Sequence, residues 1–200
     1  GQGATTRQHK ESHQVMDVVG MYEPVTKWAQ SIYHPDSIPE IIRKSVRICR
    51  GEKPGAVHIE LAEDVAKRET DAVPMDVRRF RRPGADDKIC DQAYEVIRNA
   101  RAPIIIAGNG AVRRRAARQL RRLAEQTGIP VTTTFMGKGS VDYTADYALY
   151  TIGLGQWDHV ADAVRDADVV VTVGYDMVEY PPRLWNPDAD ETIVHIDFDP

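Results

Sequence analysis

Apolar positions recur along the chain with two different periods. Ile38, Ile41, Ile42, Ser45, Ile48 and Cys49 fall at the i, i+3, i+4, i+7 spacing of one helix face, and Gly51 stands where such a helix stops. Ser37 can cap its start, Pro39 suits the first turn, and Glu40 completes a capping box. The same period predicts helices over about 87–99, with Ile89, Ala93, Val96 and Ile97 on one face, over about 113–126, with Ala116, Leu120, Leu123 and Ala124 inward, and over about 158–166. The runs at 56–61, 104–107, 131–134, 169–173 and 193–197 read as strands. Val15, Val18, Val19 and Tyr22 suit a short helix within 12–22 that Pro24 ends, and 25–28 reads as a short extended run. The stretch from Phe135 through Gly137, Gly139, Gly153 and Gly155 is expected to be a long loop.

Helices alternating with continuous apolar strands predict βαβ units and a parallel sheet covered on both faces. With right-handed crossovers, residues 87–200 form a doubly wound, Rossmann-like α/β domain, incomplete at its C-terminal end. Residues 1–61 read as part of a second α/β domain. Residues 62–86 hold Pro74, Pro83, Gly84 and the basic cluster Arg78, Arg79, Arg81 and Arg82 with little periodicity, and are expected to be a linker laid across a surface.

Composition narrows the function classes. With 42% hydrophobic and 28% charged residues the chain is neither disordered nor fibrous. A net charge of −4 gives no basis for nucleic-acid or anionic-membrane partners. Arginines 113, 114, 115, 118, 121 and 122 share a helix with Leu120 and Leu123, so they read as its water-facing side. The longest apolar stretch, 103–107, is far short of the ~20 residues of a membrane span. Cys49 and Cys90 lack zinc-site spacing and fit a reducing, cytoplasmic compartment. Neither Asp86-Asp87 nor Asp188, Asp190 and Glu191 has metal-loop spacing, so no metal ligands are assigned. The chain opens on Gly1-Gln2-Gly3 and stops at Pro200 directly after a strand-like run, as expected of an internal piece of a longer protein.

Four sequence features are candidates for chemistry. Gly108-Asn109-Gly110 lies between a strand and a helix, where glycines let the backbone approach a phosphate. The full G-x-G-x-x-G is absent, since position 113 is Arg, and the alternative is a tight turn whose glycines supply positive φ. Gly137, Lys138 and Gly139 follow a strand end and either face a ligand at the carboxyl edge of the sheet or form a plain loop. Gly108, Gly110, Gly137 and Gly139 are therefore the candidate nucleotide or FAD edge. His13 and Gln14 place an imidazole beside an amide, able to donate and accept protons or hydrogen bonds around a small polar substrate; the alternative is a solvated pair. Lys27 is either a carboxylate binder or solvated. Spacing and periodicity alone give no reaction.

Ser12-His-Gln-Val-Met-Asp17, Tyr22-Glu-Pro-Val-Thr-Lys27, Ile38-Pro-Glu40 and the run from Lys53 to Val65 resemble the second half of the pyrimidine-binding domain in the acetolactate synthase family of thiamine-diphosphate enzymes. The runs 167–176, 178–180, 185–186 and 192–197 resemble that family's central domain. His13-Gln14 and the Gly174-Tyr-Asp176, Val178-Glu-Tyr180, Trp185-Asn186 series look closest to the flavin-independent, catabolic-type members. The resemblance implies joining of two pyruvates, with loss of CO₂, to 2-acetolactate, as in branched-chain amino acid biosynthesis. It implies thiamine diphosphate as the electron sink, with Mg²⁺, in the full-length parent. Gln14 and His13 match positions beside the cofactor's reactive carbon, where they would orient substrate oxygens, and Lys27 matches a position near the substrate entrance. Tyr175-Asp176-Met177 replaces the arginine-bearing run of flavin-binding members and only two glycines stand at 108–110, which argues against FAD, although Gly137-Lys138-Gly139 keeps a loop those members share. The family's activating glutamate and its Gly-Asp-Gly diphosphate motif are not found in this chain, so the chain is expected to hold no cofactor tightly and to be inactive alone, its central domain a scaffold within a homodimeric or homotetrameric parent. The rivals are a related thiamine-diphosphate 2-keto-acid carboligase or decarboxylase, and a nucleotide-binding structural module.

Overall fold

A computed structural model describes residues 1–76, 84–153 and 158–198, with the side chain of Arg114 excepted. The basic cluster at 78, 79, 81 and 82, with Pro83 and Gly155, lies outside the described residues. The chain forms two units, Gly1–Arg82 and Pro83–Pro200.

In the first unit the elements are α1 (Val18–Tyr22), β1 (Ala29–Ile32), α2 (Ile38–Arg50), β2 (His58–Leu61) and α3 (Glu63–Ala66). β1 and β2 are parallel, with Ala29 opposite His58 and Ile32 opposite Leu61, and Gln2 adds a parallel bridge to Ala62. The amphipathic face of α2 supplies Ile38 and Ile41 to a core built on Ile32, Ala62 and Val65. Three expectations are corrected here. The strand after Pro24 is 29–32, not 25–28, because Glu23–Val25 continues as a 3-10 turn. The Ser37 side chain does not cap α2: its Oγ donates to the His34 carbonyl instead, at 2.7 Å. Finally, the stretch read as linker from residue 62 starts with α3, whose Val65 is 1% exposed in the core.

The second unit contains α4 (Asp87–Asn99), β3 (Pro103–Ala107), α5 (Arg114–Thr127), β4 (Val131–Thr133), β5 (Ala148–Thr151), α6 (His159–Arg165), β6 (Val169–Val173) and β7 (Thr192–Ile196). Its five strands are all parallel in the order β5-β4-β3-β6-β7, the doubly wound arrangement expected. Alternation along each strand feeds two cores. Ile105, Ala107, Val131, Val169 and Val171 face Leu120 and Ala124 of α5, with Ile97 of α4. Ile104, Ile106 and Val170 face Val164 of α6 and the Tyr175, Tyr180 and Trp185 cluster. Strands buried on both faces favour apolar residues on both, which is why 103–107 and 169–173 carry no polar alternation, Thr172 being the one buried hydroxyl of the two. Asp86 caps α4 by accepting from Lys88 N, and Gly128, at φ 69°, closes α5 in the left-handed region. Two readings change. β5 occupies part of the expected long loop, and α5 buries Ala117 along with Ala124, leaving Ala116 half-buried.

Asp168 lies just before β6. Its carboxylate accepts from the backbone amides of Arg101, at 2.7 Å, and Ala102, at 3.0 Å. Those bonds, Arg101 first, hold its carboxyl below the usual range. A carboxyl depressed in the folded state stabilises the fold above its unfolded pKa of ~3.9, and that stabilisation is lost as pH falls through the folded value. Asp168→Asn is therefore expected to lower the melting temperature at neutral pH, with the gap to the wild type closing under strong acid; differential scanning calorimetry across pH checks this.

Candidate functional site

His13 and Gln14 sit in a turn before α1 rather than in a helix, and both side chains are exposed. The turn closes from Val15 N to the Ser12 carbonyl, and the Gln14 carbonyl accepts from Gly3 N at 2.9 Å. Gln14 has φ 58°, in the left-handed region that L-residues with side chains enter at a cost of ~1–2 kcal/mol. A strained non-glycine residue held by two flanking hydrogen bonds is the kind of feature that gathers at working sites. Asp17 then caps α1 by accepting from Gly20 N at 2.9 Å, and Tyr22 stacks on His58 of β2 with centroids 4.2 Å apart.

Beneath this turn lies a polar hollow of about 480 Å³, lined by Gln2, Val15, Met16, Asp17, Ser31 and Glu60 among others. Glu60 is buried on its floor. Its two carboxylate oxygens accept from Ser31 Oγ at 2.7 Å and Gln2 Nε2 at 3.0 Å, and the same Gln2 amide donates to the Met16 carbonyl at 2.7 Å. Gln2 thus ties the turn segment to the acid of β2. Neither residue is a candidate in the sequence reading; the available signal is an acid in the middle of a run otherwise read as buried strand.

Lys27 is turned elsewhere. Its ammonium donates to the carbonyls of Lys53, at 2.6 Å, and Gly51, at 3.1 Å, in the segment that follows α2. The negative end of the α2 dipole favours a cation there.

In the second unit the candidate glycines gather at the carboxyl edge of the sheet. Gly108 N donates to the Val173 carbonyl at 2.9 Å, and Gly110 N to the Gly174 carbonyl at 2.7 Å. A Cβ on Gly108 would lie 2.6 Å from Gly174 O, and one on Gly110 2.6 Å from Gly174 Cα; a Cβ on Gly137 would run into the Ala107 carbonyl. These glycines serve close backbone approach, and Gly108, at φ −101°, does not supply the positive φ of the alternative reading. Gly139 does have positive φ, at 89°, in open space, and Lys138 beside it is exposed. Arg121 is not simply solvated: its guanidinium donates to the Gly139 and Ser140 carbonyls, each at 2.8 Å. Glu179, 8% exposed, accepts from Asn109 N at 3.0 Å and from Thr134 Oγ, whose oxygen in turn accepts from Gly137 N. Among the described residues no group of three or more His, Cys, Asp or Glu side chains could hold a metal ion, and no helix is long and apolar enough to cross a membrane.

A wound, all-parallel sheet whose loops meet at its carboxyl edge defines the second unit as an α/β domain of Rossmann-like type. Residues 90–200 match the thiamine pyrophosphate enzyme central-domain family, and the chain belongs to that family. Its similarity to known proteins extends further than that match. An acetolactate synthase of Bacillus subtilis is 30% identical over 94% of this chain, and a probable acetolactate synthase large subunit of Methanocaldococcus jannaschii 33% identical over 100%. A glyoxylate carboligase of Escherichia coli O157:H7 is 28% identical, also over 100%. The chain spans about a third of these relatives' lengths, at 33%, 35% and 34% respectively.

Because the backbone at Gln14 is left-handed, Gln14→Gly should raise stability by up to ~1 kcal/mol, the relieved strain being partly offset by the greater freedom of glycine in the unfolded chain. Gln14→Ala should give no such gain. Urea unfolding of the two variants beside the wild type measures the difference.

Proposed function

We propose that the whole protein to which this chain belongs is a thiamine-diphosphate-dependent acetolactate synthase that joins two pyruvates, with loss of CO₂, to 2-acetolactate. The observation that carries this reading is similarity to proteins of that name through both units, over 94% and 100% of the chain. When bound, thiamine diphosphate supplies the electron sink that lets a 2-keto acid lose CO₂. On this reading residues 1–61 are the end of a pyrimidine-binding domain and residues 87–200 the central domain that scaffolds the site.

The chain's own part is positioning. The turn at 12–15 is held by Gly3 and, through Met16, by Gln2, so the Gln14 amide and His13 imidazole start from a fixed backbone. From there they orient the keto and carboxylate oxygens of the substrate and exclude water. Lys27, its ammonium anchored on the carbonyls of Gly51, Glu52 and Lys53, contributes positive charge at the approach for an anionic substrate. On this reading Mg²⁺ and the diphosphate would be held by the rest of the protein, in a dimer or tetramer.

A second reading, a carboligase for another 2-keto acid, is favoured by the similarity to a glyoxylate carboligase, which runs over 100% of this chain and 34% of that protein. Product analysis of the full-length protein supplied with thiamine diphosphate, Mg²⁺ and either pyruvate or glyoxylate separates the two; acetolactate from pyruvate is expected. Gln14→Ala and His13→Ala in that protein should each lower kcat/KM by ~10-fold or more, the loss of about one oriented hydrogen bond. The 200-residue chain alone should show no turnover, and turnover by it would overturn the placement of the remaining cofactor groups.

A further inference from the structure

In doubly wound sheets a dinucleotide enters the crevice where neighbouring strands run to opposite sides. Its phosphates are taken by the backbone amides of the first strand-to-helix turn. In this sheet the crevice lies between β3 and β6, and the turn is 108–112. Every amide from 108 to 111 already has a protein acceptor. Gly108 N donates to the Val173 carbonyl, Asn109 N to the Glu179 carboxylate at 3.0 Å, Gly110 N to the Gly174 carbonyl, and Ala111 N to the Gly108 carbonyl at 3.0 Å.

We propose that Glu179 is a built-in anion seated where a dinucleotide phosphate would otherwise sit, and that this central domain therefore takes up neither FAD nor another dinucleotide at its switch point. The seat has the features an anion needs. One oxygen of Glu179 accepts a backbone amide from the turn after β3. The other accepts the Thr134 hydroxyl from the turn after β4. The residue is 8% exposed, so the carboxylate is enclosed by protein rather than offered to solvent. The space argument agrees. The turn lies so close to the segment after β6 that a methyl group on Gly108 or Gly110 would already collide with Gly174, and a phosphate is larger than a methyl. The candidate nucleotide edge at Gly108, Gly110 and Gly137 is thus filled by the chain itself. Gly139 stays open, in a loop that Arg121 holds by its carbonyls and outside the 108–111 turn. This inference concerns the central domain alone, so its failure would leave the keto-acid reading standing, and the reverse also holds.

The purified chain is titrated with FAD and with ADP, followed by flavin fluorescence and calorimetry. No saturable binding is expected up to ~1 mM, and saturable FAD binding would overturn the proposal. The seat is then emptied. Glu179→Ala is expected to melt roughly 5–10 °C lower than the wild type. Sodium formate, a free carboxylate, should restore the loss with a saturable dose dependence, while sodium chloride at equal ionic strength should not, and the wild type should respond to neither. A Glu179→Ala chain indifferent to formate would refute the anion seat. Glu179→Gln keeps the volume and removes the charge. It is expected to melt below the wild type, and an unchanged melting temperature would also refute the proposal.

Discussion

The second unit depends on how closely the backbone of β3 can approach that of β6 and continue that approach beyond the ends of the strands. The two strands pair from Pro103 opposite Val169 to Ala107 opposite Val173. Most Rossmann-like sheets open at this point because the turns that leave the central strands diverge. Here glycines on both sides, at 108, 110 and 174, let the turns stay in backbone contact, and hydrogen bonds continue across the gap. Removing the side chain at these positions closes the crevice instead of opening it for a ligand. The same residue type that signals a phosphate loop in sequence can therefore mark its opposite, and only the identity of the nearest atoms separates the two.

The first unit shows a different constraint. Burying a carboxylate is costly unless its lone pairs are occupied. Glu60 meets that requirement with Ser31 across the β1–β2 pair and with Gln2 from the chain's start. Through Gln2 the cost of one buried acid is linked to the placement of the segment that carries His13 and Gln14. The backbone that carries His13 and Gln14 is thereby fixed from below while both side chains remain exposed.

The fold was legible wherever periodicity was strong. The 87–99 helix and the 169–173 strand stand at the predicted bounds, because an amphipathic face and a doubly buried strand each leave a clear pattern. β1 and β5 were not legible. Ala29-Gln-Ser-Ile32 is half polar, with Ser31 on the Glu60 hollow and Gln30, on the opposite face, donating to the Ser31 carbonyl, and Ala148-Leu-Tyr-Thr151 is an edge strand with an exposed Tyr150. The capping box at Ser37 failed because a local turn took the hydroxyl first. At the candidate site, the His13-Gln14 pair could be picked out from sequence, but the left-handed backbone of Gln14 could not, since nothing in a glutamine announces it. Glu179 was visible only as part of a family-like run; its role depends on Asn109 and Thr134, seventy and forty-five positions away in the chain.

Asp168 and Glu179 together have a further consequence. One precedes β6 and takes the amides that lead into β3; the other follows β6 and takes an amide just beyond the far end of β3. The central strand pair is buttoned by a carboxylate at each end. Sliding one strand past the other by a single residue would undo both fastenings together and would turn Ile105 from one layer to the opposite one. The alignment of the two innermost strands is thus set by chemistry at their tips as well as by the packing between them.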